Sequence, residues 1–370
     1  MKWSINIGKI AGIDLKIHLT FLILMLWVAF SGLTAGETSL ETLLNFTLVL
    51  ALFLFVVLHE LGHALMARRF GIPTRDITLL PIGGLARLDH MPEEPVKEFL
   101  VAAAGPMVNV VLAALIAGGL ALSGFFAQPL SISLIANSFW MQLLLANVTL
   151  VIFNIIPAFP MDGGRILRAL LGLVMTRVKA TKVAAGVGRG FAVIMGVAGL
   201  FFNTWLILTS IFVWWSAGAE AQAETIKAGL EGLSVRDVLV NLFYQVEANQ
   251  PLTTVYDLTK STGQRDMPVT SNGHLLGIIR REDLKAAVER LGGRAPAYAA
   301  IGVEPQGLDP QTPVNDILPR FTECGTQPVI ENDQLIGLVT PQSVQQMIWL
   351  RDHGWPVDPR STEEEATDQI

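Results

Sequence analysis

From Phe99 to Met161 the chain runs 63 residues without an Asp, Glu, Lys or Arg. About 20 apolar residues already cross a bilayer core about 30 Å thick, so this run is too long for one crossing. Gly124, Pro129 and Asn137 divide it into roughly Phe99–Leu122 and Leu134–Ile156. Ile17–Ala35 is also uncharged, as is Thr42–His59, whose apolar pattern continues to Ala67. Phe191–Ala219 is a further charge-free run; with Val183–Gly190 before it, it reads as two short spans turning near Asn203, the alternative being one long tilted helix. The expectation is a polytopic α-helical membrane protein of about six transmembrane helices, with five as the alternative count.

Charge separates this part from the rest. Residues 1–220 carry 14 Lys/Arg against 11 Asp/Glu, a net +3, whereas residues 221–370 carry 12 against 21, a net −9. A membrane half followed by an acidic soluble half is the simplest reading. Clustered basic residues of the kind that track nucleic acid are missing from the sequence, so no nucleic-acid partner is expected. A single cysteine, Cys324, precludes an intrachain disulfide. Lys2, Lys9 and Lys16 precede the first span, Arg68 and Arg69 follow the second, and Arg165, Arg168, Arg177, Lys179 and Lys182 follow the fourth. By the positive-inside rule both termini, residues 68–98 and residues 160–182 face the cytoplasm of a multi-pass cell-membrane protein. Read instead as a signal peptide, the first span would have only Leu33-Thr34-Ala35 as a poor cleavage site, and the remaining topology needs it as a span.

The chemistry begins at His59-Glu60-Leu61-Gly62-His63. Two His at i and i+4 share one helix face and can reach one zinc ion, with Glu60 close by as general base. The five-residue pattern is weak by itself, but this one ends an apolar span, where ionisable groups are costly and usually functional. A hydrolytic zinc takes three protein ligands and leaves one position open. Among the acidic residues between Glu60 and Glu220, Asp162, just past the fourth span, is the candidate third ligand. It follows Pro157 and Pro160, which break the helix, and precedes Gly163-Gly164, which allow close approach. The alternative for Asp162 is the N-cap of a helix through Arg165–Leu171.

His59–His63 together with Asn154…Pro157…Met161-Asp162-Gly163-Gly164 resembles the site-2 protease family of intramembrane zinc metalloproteases. Ala104-Gly105-Pro106-Met107-Val108-Asn109 matches a small-residue motif on that family's third core helix, and Leu80-Pro81-Ile82-Gly83-Gly84 resembles its membrane-associated strand. Met161 stands where Leu is more usual. The resemblance covers residues 1–220 and implies one Zn2+ per chain held by His59, His63 and Asp162, with Glu60 catalytic. It also implies hydrolysis of a peptide bond within or near a transmembrane segment of a membrane-protein substrate in the lipid bilayer. A helical substrate hides its carbonyls and must unwind, after which it can add to an exposed strand edge. Thr74–Leu88 around Gly83 and Gly84 is the candidate edge, a plain hairpin the alternative. Asn154 either holds substrate or satisfies backbone freed by Pro157.

After a linker at 221–232, residues 233–350 repeat a strand–turn–strand–helix pattern, in halves of about 233–290 and 300–350. Met267-Pro268-Val269…Leu276-Gly277-Ile278-Ile279 echoes Gln327-Pro328-Val329…Ile336-Gly337-Leu338-Val339. The repeat resembles a tandem pair of CBS domains, a cytoplasmic α/β module that often binds ATP or another adenine nucleotide and can pair two copies into a homodimer. Each half keeps part of a ribose-contacting Thr/Ser-x-x-Asp signature: Arg280 with Asp283, and Thr340 with Ser343. Asp283 and Thr340 are therefore the nucleotide candidates. Residues 351–370, with Glu363-Glu364-Glu365, read as a disordered tail. Readings from other classes are a CBS-regulated channel or transporter, which would scatter polar residues through several spans, and a proteolytically inactive homologue, against which Glu60 stands.

Overall fold

A computed structural model describes residues 3–36, 38–81, 83–127, 131, 134–135, 138–303, 306–322, 325–353 and 355. Glu37, Pro129, Asn137, Cys324 and the tail from 356 onward lie outside the described residues. The chain divides into two compact units, Met1–Glu224 and Thr225–Ile370.

The first unit opens with a hairpin that sequence reasoning missed. Strands β1 (Ser4–Ile10) and β2 (Ile13–His18) pair antiparallel across Ala11-Gly12, both at positive φ. Lys9 and Lys16 thus belong to a sheet rather than to an irregular flank. Helix α1 (Leu19–Thr34) starts two residues later than expected, capped by His18, whose ring accepts from the Thr20 N–H. Helix α2 (Ser39–Arg69) follows a capping box made by Thr38 and Glu41. Strands β3 (Thr74–Leu80) and β4 (Gly83–Leu88) then complete a sheet of order β1-β2-β3-β4, with β3 parallel to β2 and β4 at an edge.

Helix α3 (Pro95–Leu122) ends at Gly124, whose φ is +73°. Helix α4 (Phe139–Ile155) begins later than the expected Leu134. Helix α5 (Asp162–Gly172) is short, and α6 (Arg177–Phe201) and α7 (Thr204–Gly229) turn at Phe202-Asn203. The expected turn near Asn203 is present, but these two helices are long rather than short. Among the described residues three helices, α2, α3 and α6, are long and apolar enough to cross a membrane; α1 and α4 are shorter and apolar. The expected linker is helical as far as Gly229, because nothing before that glycine breaks the pattern.

Polar cross-links hold this unit together away from the apolar runs. Buried Arg168 on α5 meets Glu98 of α3 and Glu220 of α7, each at 2.6 Å. Arg177 at the start of α6 bonds Glu98 at 2.9 Å and Glu224 at 2.7 Å. One Glu shared between two Arg on different helices fixes where α3, α5 and α6 meet.

The second unit contains β5 (Val246–Glu247), α8 (Leu252–Thr262), β6 (Met267–Ser271), β7 (His274–Ile279) and α9 (Arg281–Leu291). Its second half contains α10 (Val314–Ile317), β8 (Gln327–Glu331), β9 (Gln334–Val339) and α11 (Pro341–Asp352). The two hairpins are built alike. Met267 faces Ile279 and Gln327 faces Val339, and the turns Asn272-Gly273 and Asn332-Asp333 both take positive φ, as tight hairpins require. Each half has its own apolar core, around Val255, Val269 and Ile279 in the first and Val314, Val329 and Val339 in the second.

Asp76 ties the sheet of the first unit together. Its buried carboxylate accepts from Lys16 Nζ of β2 and Arg87 Nε of β4, both at 2.8 Å. Burial opposes its ionisation, but these cations outweigh burial and hold its carboxyl down to about 2 against the ordinary 3.8. The ionised carboxylate then contributes about 2 kcal/mol to stability above pH 4, which is lost as pH falls from about 4 to about 2. Asp76→Asn should lower the unfolding temperature at pH 7 and flatten that acid loss, measured by thermal unfolding in detergent across the pH range. An unchanged melting curve would mean the sheet does not depend on this link.

Candidate metal centre

The i, i+4 spacing on α2 turns His59 and His63 to the same side, and both are buried. Asp162, the first residue of α5, comes to them from 99 positions beyond His63 in the chain. His59 Nε2 lies 3.1 Å from Asp162 Oδ2, His63 Nε2 lies 3.2 Å from the same oxygen, and the two Nε2 atoms are 3.1 Å apart. Among the described residues they are the one group of His, Cys, Asp or Glu placed to hold a metal ion. Ligands about 2.0–2.1 Å from a tetrahedral zinc stand about 3.3 Å from one another. Three donors at 3.1–3.2 Å, of the types zinc takes, therefore fit that ion.

Neighbouring residues make this convergence attainable. His63 Nδ1 lies 2.7 Å from the Val101 carbonyl oxygen; donating there leaves the Nε2 lone pair directed at the cluster. Gly105 of α3 faces both rings. A Cβ there would overlap His63 Nε2 and stand 2.8 Å from His59 Nε2, so only glycine fits. Gly62 performs the same service between the helices, since a Cβ on it would come 2.8 Å from the Ala104 carbonyl oxygen.

Asp162 reaches the site because α4 stops. The helix ends at Ile155, and the segment through Pro157 and Pro160 folds back so that α5 starts beside it. A Cβ on Gly163 would overlap the carbonyl oxygens of Ile155 and Ile156, and one on Gly164 would stand 2.7 Å from the Phe159 nitrogen. The two glycines let the broken backbone lie against the first turn of α5. Met161, not Asp162, is the N-cap residue, and its side chain makes no cap bond. The capping alternative for Asp162 is thereby corrected: as first helical residue, its carboxylate turns to the histidines instead.

Glu60 faces the sheet. Its Oε2 accepts the Ala86 N–H of β4 at 3.1 Å, and a Cβ on Gly84 would come 2.8 Å from Glu60 Cγ and 2.9 Å from Val56 Cγ1. Gly84 thus lets edge strand β4 lie against the helix turn that carries Glu60. Gly83 adjoins it at φ +140°. Asn154, half-buried in the last turn of α4, precedes the break by three residues. The roles of Val101, Gly105 and Ala86 escaped sequence reasoning, since a backbone carbonyl, a missing side chain and a backbone N–H leave no signal of their own. Asn147 also escaped it, although a fully buried Asn in an apolar run is such a signal; its Nδ2 donates to the Asn109 carbonyl oxygen at 2.6 Å, joining α4 to α3.

In the second unit a cavity of about 510 Å³ is lined by residues of both halves, including Arg265, Asp266, Arg280, Thr326 and Thr340. Of the two nucleotide candidates only Thr340 lines it. Asp283 is held by Arg280 at 2.7 Å, because the residue in the hydroxyl position of the first half is a cation that takes the carboxylate itself. Thr340 caps α11 in a capping box with Ser343.

Comparison with known proteins places the chain in a family. Residues 47–134 and 126–197 match peptidase family M50, and residues 235–290 match the CBS domain. The chain is 32% identical over 345 residues to zinc metalloprotease MJ0392 of Methanocaldococcus jannaschii, covering 93% of this chain and 96% of that one. It is 28% identical over 207 residues to stage IV sporulation protein FB of Bacillus subtilis, covering 54% of this chain and 64% of that one. A solved site-2 protease from Methanocaldococcus jannaschii is 41% identical, covering 59% of this chain and 95% of that chain with a TM-score of 0.42. The chain belongs to peptidase family M50, the site-2 protease family of zinc metalloproteases, and carries a C-terminal CBS module.

Proposed function

We propose that this metalloprotease cleaves a peptide bond within or near a transmembrane segment of membrane-protein substrates, with His59, His63 and Asp162 as the zinc ligands and Glu60 as general base. The observation that carries the reading is the meeting of three buried donors, 3.1–3.2 Å apart, beside Glu60. Zinc held by them would polarise the scissile carbonyl and acidify a water towards pKa ~7. Glu60 takes the proton of the attacking water and returns it to the leaving amine. Val101 keeps His63 oriented, and Gly105 keeps the space between the rings clear. The edge of β4, beginning at Gly83 and Gly84, receives an unwound substrate segment alongside Glu60. Asn154 holds that segment from the break after α4. Six spans, α1–α4, α6 and α7, with cytoplasmic termini account for the loop charges.

The second unit is proposed as the regulator. Arg265, Arg280 and Thr340 offer donors to the phosphates of an adenine nucleotide, in a cavity that Asp266 and Glu282 also line. A ligand acts only through its differential affinity for two states, typically about 5–150-fold. Added to the full chain, ATP, ADP or AMP should change cleavage by a factor in that range. A chain that binds none of them at millimolar concentration would leave homodimerisation as the module's role.

Zinc content separates ligands from bystanders. His59→Ala, His63→Ala and Asp162→Ala should each lose stoichiometric zinc, as should Gly105→Val, whose side chain intrudes between the rings. His18→Ala, at the cap of α1, should keep it, as should His90→Ala. Full zinc and full activity in Asp162→Ala would remove Asp162 from the ligand set. Glu60→Gln should instead retain zinc and lose cleavage by about 100-fold or more, the range for a missing general base. Near-normal turnover by that variant would exclude Glu60 from the proton transfer.

A further inference from the structure

We propose that the apolar cavity between α2 and α4 is the specificity pocket of this protease, receiving an apolar side chain one or two residues from the scissile bond. The inference rests on the zinc-site reading above. The cavity measures about 510 Å³ and is lined by Phe53 and Val56 of α2, Gly83 of β4, and Ala146, Thr149 and Leu150 of α4, among others. Among the described residues no charged residue lines it, and Gln142 is its one amide. Thr149 spends its hydroxyl on the Leu145 carbonyl oxygen at 2.8 Å, so that group is not presented to an occupant.

Position assigns the occupant. Val56 and Glu60 lie one helical turn apart on the same side of α2, about 5.4 Å along its axis. Gly84 approaches both of them, and Gly83 beside it lines the cavity. The cavity therefore begins one turn from the catalytic base, on the side where edge strand β4 crosses α2. An extended segment advances about 3.3 Å per residue and points alternate side chains to one face. A chain lying along β4 with its scissile bond at Glu60 reaches Val56 after one or two residues. The side chain there meets Leu52, Phe53 and Val56 on α2 and mostly apolar residues on α4, Gln142 being the polar exception. Ala146, half-buried in the α4 wall, sets the depth, because no larger side chain occupies that place.

The test uses peptide hydroxamates, which chelate zinc whether or not they are cleaved, with Gly, Ala, Leu or Phe at the first or second residue from the chelator. Binding is measured to the zinc-loaded full chain in detergent. At one of the two positions Leu should bind about tenfold or more better than Gly, the scale of burying one such side chain. Ala146→Phe should abolish that advantage while leaving zinc content and the Gly peptide unchanged. Leu150→Ala, which widens the same wall, should move the preference towards Phe, and it decides the matter if Ala146→Phe does not fold. Equal binding of all side chains at both positions overturns the proposal and leaves the cavity to lipid chains. So does an Ala146→Phe variant that weakens the Gly and Leu peptides alike. If no hydroxamate binds the zinc-loaded chain, the zinc-site reading fails first and the pocket falls with it. Binding without side-chain preference sinks the pocket alone.

Discussion

The near contact of α3 with the two histidines of α2 is the constraint on which the rest depends. A metal site inside apolar helices must bring nitrogen and oxygen donors within about 3.3 Å of one another, against the bulk of the side chains between them. Gly105 removes that bulk where His59 and His63 meet, and Gly62 removes it on the opposing helix. The pairing of α2 with α3 is thus set by absent atoms. Val101, one turn before Gly105, adds the carbonyl that orients His63. One face of α3 supplies both the clearance and the orientation.

The third ligand imposes a second requirement, a helix that stops at the right depth. Backbone that leaves its helix must be paired or sheltered where water is scarce. Here the segment after Ile155 is sheltered by the first turn of α5, which glycines at 163 and 164 allow to lie against it. Helix α5 is then anchored at its far end: Arg168, six residues past Asp162, is clamped by Glu98 and Glu220. Each member keeps a second partner, Arg168 with Glu220 and Glu98 with Arg177, so the cluster anchors the helix as a network rather than as one pair. The ion cluster and the metal site therefore bracket the same short helix from both ends.

What the sequence disclosed follows from the physics of each feature. The apolar runs mark the helices, because burying backbone in hydrocarbon leaves few alternatives to α-structure. His59, His63 and Asp162 stand out because ionisable residues are rare there. The repeat in residues 233–350 shows through its hairpins, whose turn residues take the same backbone conformation twice. The hairpin β1–β2 was legible but overlooked: Ile13-Asp14-Leu15-Lys16-Ile17-His18 alternates strictly, yet Ile17 reads as the start of a span and the lysines as its flank, and the pairing with β3 lies more than 50 residues away. Asp283 keeps its place in the signature, and Arg280, three positions earlier, engages its carboxylate.

Strand β4 shows how much of the architecture is arranged around the site. Edge strands in stable proteins are usually shielded by charges, prolines or bulges, because open N–H and C=O groups invite other chains. The one charged side chain on β4, Arg87, is drawn onto Asp76 within the sheet and guards nothing. Two glycines begin the strand, which weakens it and brings it close to α2. Such an edge is a liability unless a partner strand is meant to occupy it. This edge runs past Glu60, whose carboxylate already takes the Ala86 N–H, and under the proposed function a substrate segment is what would occupy the rest of it.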